Sequence, residues 1–154
     1  MNDTSEVRAM LIESATRLFA DHVDARLLDA AKRDSWSPEL WRIVEAAQLP
    51  LVSIAEEAGG AGGSLSDLAA VLLIAGRYAA PIPLAETAIA GWMLASCRLP
   101  VESGPLAFGP VHGENVTARQ HGTQWSLSGS LRRVPWARIA QRLGVLVSGP
   151  AGAM

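Results

Sequence analysis

The chain has 154 residues, about half of them apolar, which suffices for one ordinary hydrophobic core or for one small domain and part of another. Thirteen basic and fifteen acidic side chains give a formal charge of -2 without a basic stripe, so nucleic acid is not an expected partner. The longest apolar run, 84–97, is shorter than the ~20 residues that cross a bilayer and contains Glu86, so no membrane span is expected.

Neither the N-terminal residues nor the cysteine content indicates secretion. The first six residues carry acidic rather than basic charge, so no signal peptide is expected. The single cysteine, Cys97, cannot form an intrachain disulfide, which favours a reducing compartment and predicts a cytoplasmic protein. Cys97 is interpreted as a small buried apolar residue rather than a reactive thiol.

Two helices are predicted in the first fifty residues. From Ser5 to about Ala31, apolar side chains recur at the three-and-four spacing that places them on one helical face. The triplet 37–39 (Ser-Pro-Glu) then starts a second helix, because serine caps free amides, proline suits the first turn and glutamate favours the positive end of the dipole. This second helix is expected to stop before Pro50.

A glycine-rich loop and a third helix come next. Four of the five residues 59–63 are glycine, which permits a backbone turn through positive φ. Ser64 and Asp67 have the spacing of a capping box, and the third helix that follows is predicted to be largely buried. The side chains predicted to share one face of this helix are Leu68, Ala69, Leu72 and Leu73.

The last predicted helix is followed by a change from helical to strand-like sequence patterns, and together they define the fold class. Pro81 and Pro83 force a bend before a fourth helix over 84–96, rich in alanine and leucine. Beyond Pro100 the spacing favours short strands at 106–108, 116–119, 125–127 and 145–148, with a hairpin turn at 121–123. We therefore predict an α+β chain: an all-α domain over 1–100 and an incomplete antiparallel β-domain over 101–154, with sheet edges left to be covered.

Motifs that would carry chemistry are weak. The glycine loop lacks the third glycine of a dinucleotide fingerprint and a following lysine, so a structural loop is favoured over phosphate binding. The three histidines have no metal-ligand spacing, and no metal site is predicted. Packing is the favoured role of the five tryptophans, although a place at a flavin or an interface stays open. Arg132 and Arg133 form a basic pair that could hold an anion, with a solvated strand face the favoured alternative.

Four segments in series resemble the acyl-CoA dehydrogenase family. Residues 41–49, 54–64 and 75–83, with Glu86 and Thr87 just beyond, resemble its amino-terminal helical domain. The segment 122–129 (Gly-Thr-Gln-Trp-Ser-Leu-Ser-Gly) resembles the start of its middle β-domain. Each pattern is glycine-dominated and weak alone, but together they cover nearly the whole chain in the family's order.

The resemblance implies a flavin-dependent dehydrogenation. In that family, flavin adenine dinucleotide (FAD) lies between the β-domain and a carboxy-terminal helical bundle. A glutamate of the bundle removes the α-proton of a fatty or steroid-side-chain acyl-CoA thioester, and the β-hydride passes to the flavin. The bundle and its glutamate are absent from this sequence, so no catalytic residue is predicted here, and this chain alone is expected to be inactive.

The same resemblance implies the positions of two sets of site residues. Leu84 and Thr87 are expected to wall the acyl cavity. The residues expected at the flavin are Phe108, Arg133, Val134 and Pro135. Position 135 departs from the family's hydroxyl-bearing residue, and proline has no amide proton to donate toward the ring. The segment 107–113 also lacks the family's threonine and its Gly-Ser-Asp turn.

These departures leave two readings of the chain. It is either the amino-terminal portion of a divergent dehydrogenase, or a scaffold subunit with degraded flavin motifs that pairs with a catalytic partner. The first is favoured, because an independent subunit that ends within a sheet would leave strand edges exposed. Both readings imply a homo- or hetero-oligomer and an acyl-CoA substrate for the assembled enzyme.

Overall fold

The computed structural model describes residues 3–109, 116–145, 147–149 and 152–153, and in these ranges helices precede short strands. The helices are α1 (Asp3–His22), α2 (Ala25–Asp34), α3 (Pro38–Ala46), α4 (Leu65–Arg77) and α5 (Leu84–Ser96), with 3-10 turns at Leu49–Leu51 and Glu56–Ala58. The strands are β1 (Leu106–Phe108), β2 (Thr117–His121), β3 (Gln124–Ser128), β4 (Arg142–Gly144), β5 (Ser148–Gly149) and β6 (Gly152–Ala153). The predicted α+β class is confirmed. His112 and the rest of 110–115 lie outside the described residues.

The first predicted helix is in fact two. The prediction of one helix from Ser5 to Ala31 was wrong, because the helix stops at His22 and a new one begins at Ala25. Asp24 is extended, with φ -117° and ψ 175°, and its carboxylate accepts a hydrogen bond from the Leu27 amide at 2.8 Å. A short acidic side chain stabilises this N-cap more than it stabilises a helix interior.

The start of α3 follows its predicted chemistry. The Ser37 hydroxyl accepts a hydrogen bond from the Leu40 amide at 3.2 Å, and Pro38 occupies the first helical position. The helix ends at Ala46, before Pro50, as predicted. Its apolar face, which includes Trp41 and Val44, is buried in the core.

The glycine loop between the 3-10 turns and α4 directs its own amides inward. The amides of Gly60, Ala61, Gly62 and Gly63 donate to backbone carbonyls at 2.8–3.1 Å. Amides already engaged in this way cannot cradle a phosphate. This geometry favours a structural role for the loop over phosphate binding.

The capping box at the start of α4 is present and extends to α1. The Ser64 hydroxyl accepts from the Asp67 amide at 3.2 Å, and the Asp67 carboxylate accepts from the Ser64 amide at 2.8 Å. Arg8 of α1 donates to the same carboxylate at 2.6 Å. The cap thus joins two helices that are distant in sequence.

The buried face of α4 differs from the predicted one. Leu68, Val71, Ile74 and Ala75 are buried, whereas Leu73 is 68% exposed. The predicted buried face is confirmed at Leu68, and Leu72 is partly buried against the core, but the prediction was wrong for Ala69 and Leu73, which are exposed. Because α4 is apolar on nearly every side, its sequence does not fix which side the core selects.

The capping carboxylate should make stability depend on acid pH. The Ser64 hydroxyl, the Arg8 guanidinium and the Ser64 amide bond to Asp67 and lower its pKa from 3.8 to about 2. A carboxyl whose pKa is depressed in the folded state stabilises the fold above its unfolded pKa, and this contribution is lost as pH falls toward 2. We expect Asp67→Asn to lower the free energy of unfolding by about 1–2 kcal/mol at pH 7.

The difference between wild type and Asp67→Asn should shrink as urea unfolding is repeated at lower pH between 5 and roughly 2. Asp29→Asn is the matched control, because Asp29 forms an exposed i,i+3 pair with Lys32 and should change stability by under about 0.5 kcal/mol. A difference that stays constant across this pH range would contradict the assignment.

One apolar core joins the first four helices and the bend before α5. Phe19 of α1 is fully buried and stacks on Tyr78, with ring centroids 6.3 Å apart. The buried members of this cluster are Ala15, Phe19, Leu40, Trp41, Val44, Leu49, Val52, Val71, Ile74, Ala75, Ile82 and Leu84. Among the tryptophans, Trp41 packs in the core as predicted, while Trp92 and Trp125 are 44% and 49% exposed.

The strands form one hairpin and several short pairings. β2 and β3 pair antiparallel, with His121 opposite Gln124, so Gly122 (φ +64°) and Thr123 form the predicted turn. β5 and β6 also pair antiparallel, while β2–β5 and β1–β4 are parallel. The β1–β4 pair, which sets Leu106 opposite Arg142, packs against α5 and gives the strands their link to the helices.

The single cysteine lies directly after the last residue of α5. Cys97 is exposed, so the prediction of a buried cysteine was wrong.

None of the described helices has the length and apolarity that a membrane span requires.

Candidate functional site

A groove lies between α5 and the β-region. Three of the four predicted flavin-side residues line it: Phe108 at the end of β1, and Arg133 and Pro135 in the loop after β3. The opposite wall comes from one face of α5, with Ala85, Glu86 and Ile89. The groove has a volume of about 340 Å³. We call it the α5 groove.

The buried side of α5 holds β1 in place. The Thr87 hydroxyl accepts a hydrogen bond from the Leu106 amide at 3.0 Å and lies 3.3 Å from the Leu106 carbonyl, to which it donates. Thr87 is 4% exposed, so these bonds form away from water, where an unpaired partner would be costly. They fix the start of β1, and hence Phe108 two residues on, against α5.

Leu84 and Thr87 lie behind the groove rather than on its surface. Leu84 is 2% exposed and belongs to the core. Thr87 lines a separate cavity of about 310 Å³, together with Trp41 and Glu45. Their predicted place on the wall of an acyl cavity stays a prediction.

The loop that carries Arg133 and Pro135 has an unusual backbone. Arg133 adopts φ +55°, a left-handed conformation that residues other than glycine seldom take. Its side chain is exposed, and within the described part of the chain it forms no ion pair. Val134, the fourth predicted residue, is half-buried and faces a neighbouring cleft rather than the α5 groove.

The α5 groove fits one wall of a flavin ring. Phe108 supplies an aromatic surface, Ile89 an aliphatic one, and the Arg133 guanidinium has donors suited to the acceptor edge of the ring. Pro135 can contribute only contact, since it has neither a hydroxyl nor an amide proton. The groove could therefore hold the ring by packing and by Arg133, without the hydrogen bond that a hydroxyl-bearing residue at position 135 would supply.

Sequence reasoning missed the helical wall of the groove. Ala85 and Ile89 are four residues apart on α5 and therefore share a face, and Glu86 lies beside them. The spacing itself was visible in the sequence. What the sequence did not indicate is that this face, rather than the opposite one, stays uncovered by the helical core.

No group of three or more metal-ligating side chains occurs in the described ranges. The groove contains one acidic side chain, Glu86, which is half-buried. The α5 groove is thus a mainly apolar binding surface with one cationic side chain, Arg133, and one carboxylate, Glu86.

A family model and two curated relatives match this chain. The model is described as "Acyl-CoA dehydrogenase, N-terminal domain" and matches residues 5–97. Both relatives are described as acyl-CoA dehydrogenase IpdE2. The one from Mycolicibacterium smegmatis is 37% identical over 89 residues, and the one from Mycobacterium tuberculosis is 36% identical over 98 residues. These alignments cover 56% and 62% of this chain and 29% and 31% of the relatives, so the matched part spans less than a third of their length.

Two solved structures have a similar fold. A chain of the Tcur3481-Tcur3483 steroid ACAD is 31% identical with a TM-score of 0.82, over 97% of this chain and 47% of that one. A chain of the ChsE4-ChsE5 complex from Mycobacterium tuberculosis is 22% identical with a TM-score of 0.72, over 93% of this chain and 45% of that one. The second likeness is one of fold.

Proposed function

The chain belongs to the acyl-CoA dehydrogenase family, and we propose that it forms the N-terminal part of a flavin-dependent enzyme that dehydrogenates an acyl-CoA thioester between its α- and β-carbons. FAD, when bound, supplies the hydride acceptor for this reaction. This chain's own contribution is a wall that binds and orients. We assign no catalytic residue to it.

The observation that carries this proposal is the α5 groove. Phe108, Arg133 and Pro135, singled out from the resemblance alone, converge there with an exposed face of α5. In the proposed role Phe108 packs against the flavin ring, Arg133 donates to its polar edge, and Ile89 offers an apolar contact to the ring or acyl group. Leu84 and Thr87 hold the wall from behind, through core packing and the two hydrogen bonds to β1.

The proposed substrate is a fatty or steroid-side-chain acyl-CoA. A steroid side chain is supported by the 31% identity to a chain of a steroid ACAD over nearly all of this sequence.

The proposed location is the cytoplasm. It is supported by the single cysteine, which cannot form an intrachain disulfide.

The proposed assembly is an oligomer with at least one further chain. Support comes from the solved structure described as a complex of ChsE4 with ChsE5. Pro135 favours a second candidate function within that assembly, a scaffold subunit whose catalytic partner provides most flavin contacts. Native purification followed by intact-mass measurement separates the two, because a scaffold requires a second, flavin-bearing polypeptide in fixed ratio.

Arg133 provides a direct test of the groove. We expect Arg133→Leu to weaken flavin retention roughly tenfold in the purified enzyme with any co-isolating chain, since a charged donor to the ring is lost. Flavin retention is measured as the ratio of visible to ultraviolet absorbance after dialysis. Arg132→Leu is the matched control, because Arg132 is exposed but does not line the groove. Equal flavin retention in both variants would remove Arg133 from the site.

A further inference from the structure

The segment 97–105 joins α5 to β1 and contains no helix or strand. We call it the α5–β1 connector. Its beginning is exposed, at Arg98 and Leu99, whereas its end is buried, at Gly104 and Pro105. The contacts made at the buried end therefore decide where β1 starts and which way it runs.

The contact that ties this buried end to the helices comes from Glu45 of α3. The Glu45 carboxylate accepts a hydrogen bond from the Gly104 amide, which lies 59 positions further along the chain. Glu45 is half-buried and forms no ion pair in the part of the chain that the structure describes. A charged acceptor makes a stronger bond than a neutral one, particularly where water is partly excluded. The sequence-distant α3 thus holds the connector by one charge-assisted bond.

The other contacts of the connector are made with the start of β4. The Pro105 carbonyl accepts a hydrogen bond from the Gln141 amide at 2.8 Å, and Glu102 pairs with Arg142. Both side chains of that ion pair are about half exposed, so the pair contributes little. A Cβ on Gly104 would overlap the Gln141 side chain, so the backbone at this point is closely packed as well as bonded.

Two anchors therefore hold β1 against the helices. Thr87 of α5 bonds to Leu106, which fixes one point of the strand, and Glu45 of α3 bonds to Gly104, which fixes a second. Both anchors line the same cavity of about 310 Å³ behind the α5 groove. Pro105, between the anchored residues, has a restricted φ and cannot absorb a displacement by rotating. A strand held at one point can pivot, whereas a strand held at two points has a set direction.

We propose that Glu45 is a positioning residue for the α5 groove. By holding the Gly104 amide it sets the direction of β1, and with it the place of Phe108 on the groove wall. Glu45 does not itself line the groove, so it acts on the flavin only through the strand. This inference rests on the proposed function, in which Phe108 packs against the flavin ring.

The first test is amide hydrogen exchange of the purified protein, with any chain that co-isolates, followed by mass spectrometry. Glu45→Leu removes the acceptor and should speed exchange over 104–108 at least about fivefold, with α4 unchanged. Glu45→Gln keeps an oxygen acceptor and should stay within about twofold of wild type. The matched control is Glu57→Leu, because Glu57 is exposed in the 3-10 turn Glu56–Ala58 and far along the chain from β1.

The second test is flavin retention of the same variants, measured as the ratio of visible to ultraviolet absorbance after dialysis. Glu45→Leu should lower flavin retention roughly fivefold, whereas Glu45→Gln and Glu57→Leu should retain flavin as wild type does. A purely structural role would instead speed exchange in α4 as well, and that result would overturn the proposal.

Unchanged exchange over 104–108 in Glu45→Leu would also overturn it, as would faster exchange there with normal flavin retention. Wild-type protein that retains no flavin contradicts the proposed function, and with it the flavin part of this inference. The exchange measurement needs no flavin, so it tests the tie between Glu45 and β1 by itself.

Discussion

Replacement of Gly60 by alanine is expected to lower the free energy of unfolding by about 3 kcal/mol or more. An added Cβ at Gly60 would overlap the carbonyl of Ile54, which is backbone and cannot move aside like a flexible side chain. That carbonyl already accepts the Gly62 amide at 2.8 Å, and Ile54 is buried, so any shift would disturb the loop and the core together.

Gly76→Ala is the matched control for this substitution. A Cβ at Gly76 would meet nothing within 4 Å, and the residue lies in the last turn of α4 and is exposed. Alanine there should raise stability by about 0.5–1 kcal/mol, because it restricts the unfolded chain and favours the helix. Urea unfolding of both variants measures the contrast. Unfolding midpoints that match wild type for Gly60→Ala would show that the loop does not pack as described.

The second large effect is expected at Phe19. This side chain is fully buried between α1 and the core and stacks on Tyr78. Phe19→Ala should cost about 3–5 kcal/mol, because it removes buried apolar area and leaves a cavity that the helices fill only in part. Thermal and urea unfolding both report this loss.

Leu73→Ala is the informative control for Phe19→Ala. Leu73 is the 68% exposed leucine of α4, and its truncation should change stability by no more than about 0.5 kcal/mol. A cost for Leu73→Ala similar to that for Phe19→Ala would mean that α4 turns the predicted face, rather than the observed one, toward the core.

Local chemistry made part of the fold predictable. The bounds of α5, the caps of α3 and α4 and the hairpin turn at Gly122 all follow from residues that are neighbours in sequence. In each case a proline, a capping hydroxyl or a glycine acts on backbone groups within four residues. Short-range physics therefore suffices for these elements.

The errors arose where long-range packing decides. Leu68 and Leu73 are the same residue type on one helix, and the packing of α4 against α1, α5 and the 3-10 turn at Leu49–Leu51 is not visible in the local sequence. The parallel pairing of β1 with β4 joins segments more than thirty residues apart, which no turn signal specifies. The apolar spacing continues past Asp24 and predicted one helix there, whereas the Asp24 carboxylate caps a second helix.

Only one of the two walls of the α5 groove could be predicted from the sequence. Phe108, Arg133 and Pro135 came from the family resemblance, which carries positions across whole segments of chain. The α5 side of the groove had no such guide, because its role depends on which surfaces the core leaves open. Leu84 and Thr87 were also taken from the resemblance, which does not indicate that both side chains are buried, Leu84 in the core and Thr87 against β1.

The central claim, membership of a flavin-dependent acyl-CoA dehydrogenase, is tested most directly by the visible spectrum of the natively purified protein, with any co-isolating chain, titrated anaerobically with a steroid-side-chain acyl-CoA. We predict a flavin absorbance band that bleaches as the thioester is added and returns when an electron acceptor follows. A flavin band that no fatty or steroid-side-chain acyl-CoA bleaches, or a native assembly without flavin, would contradict the account.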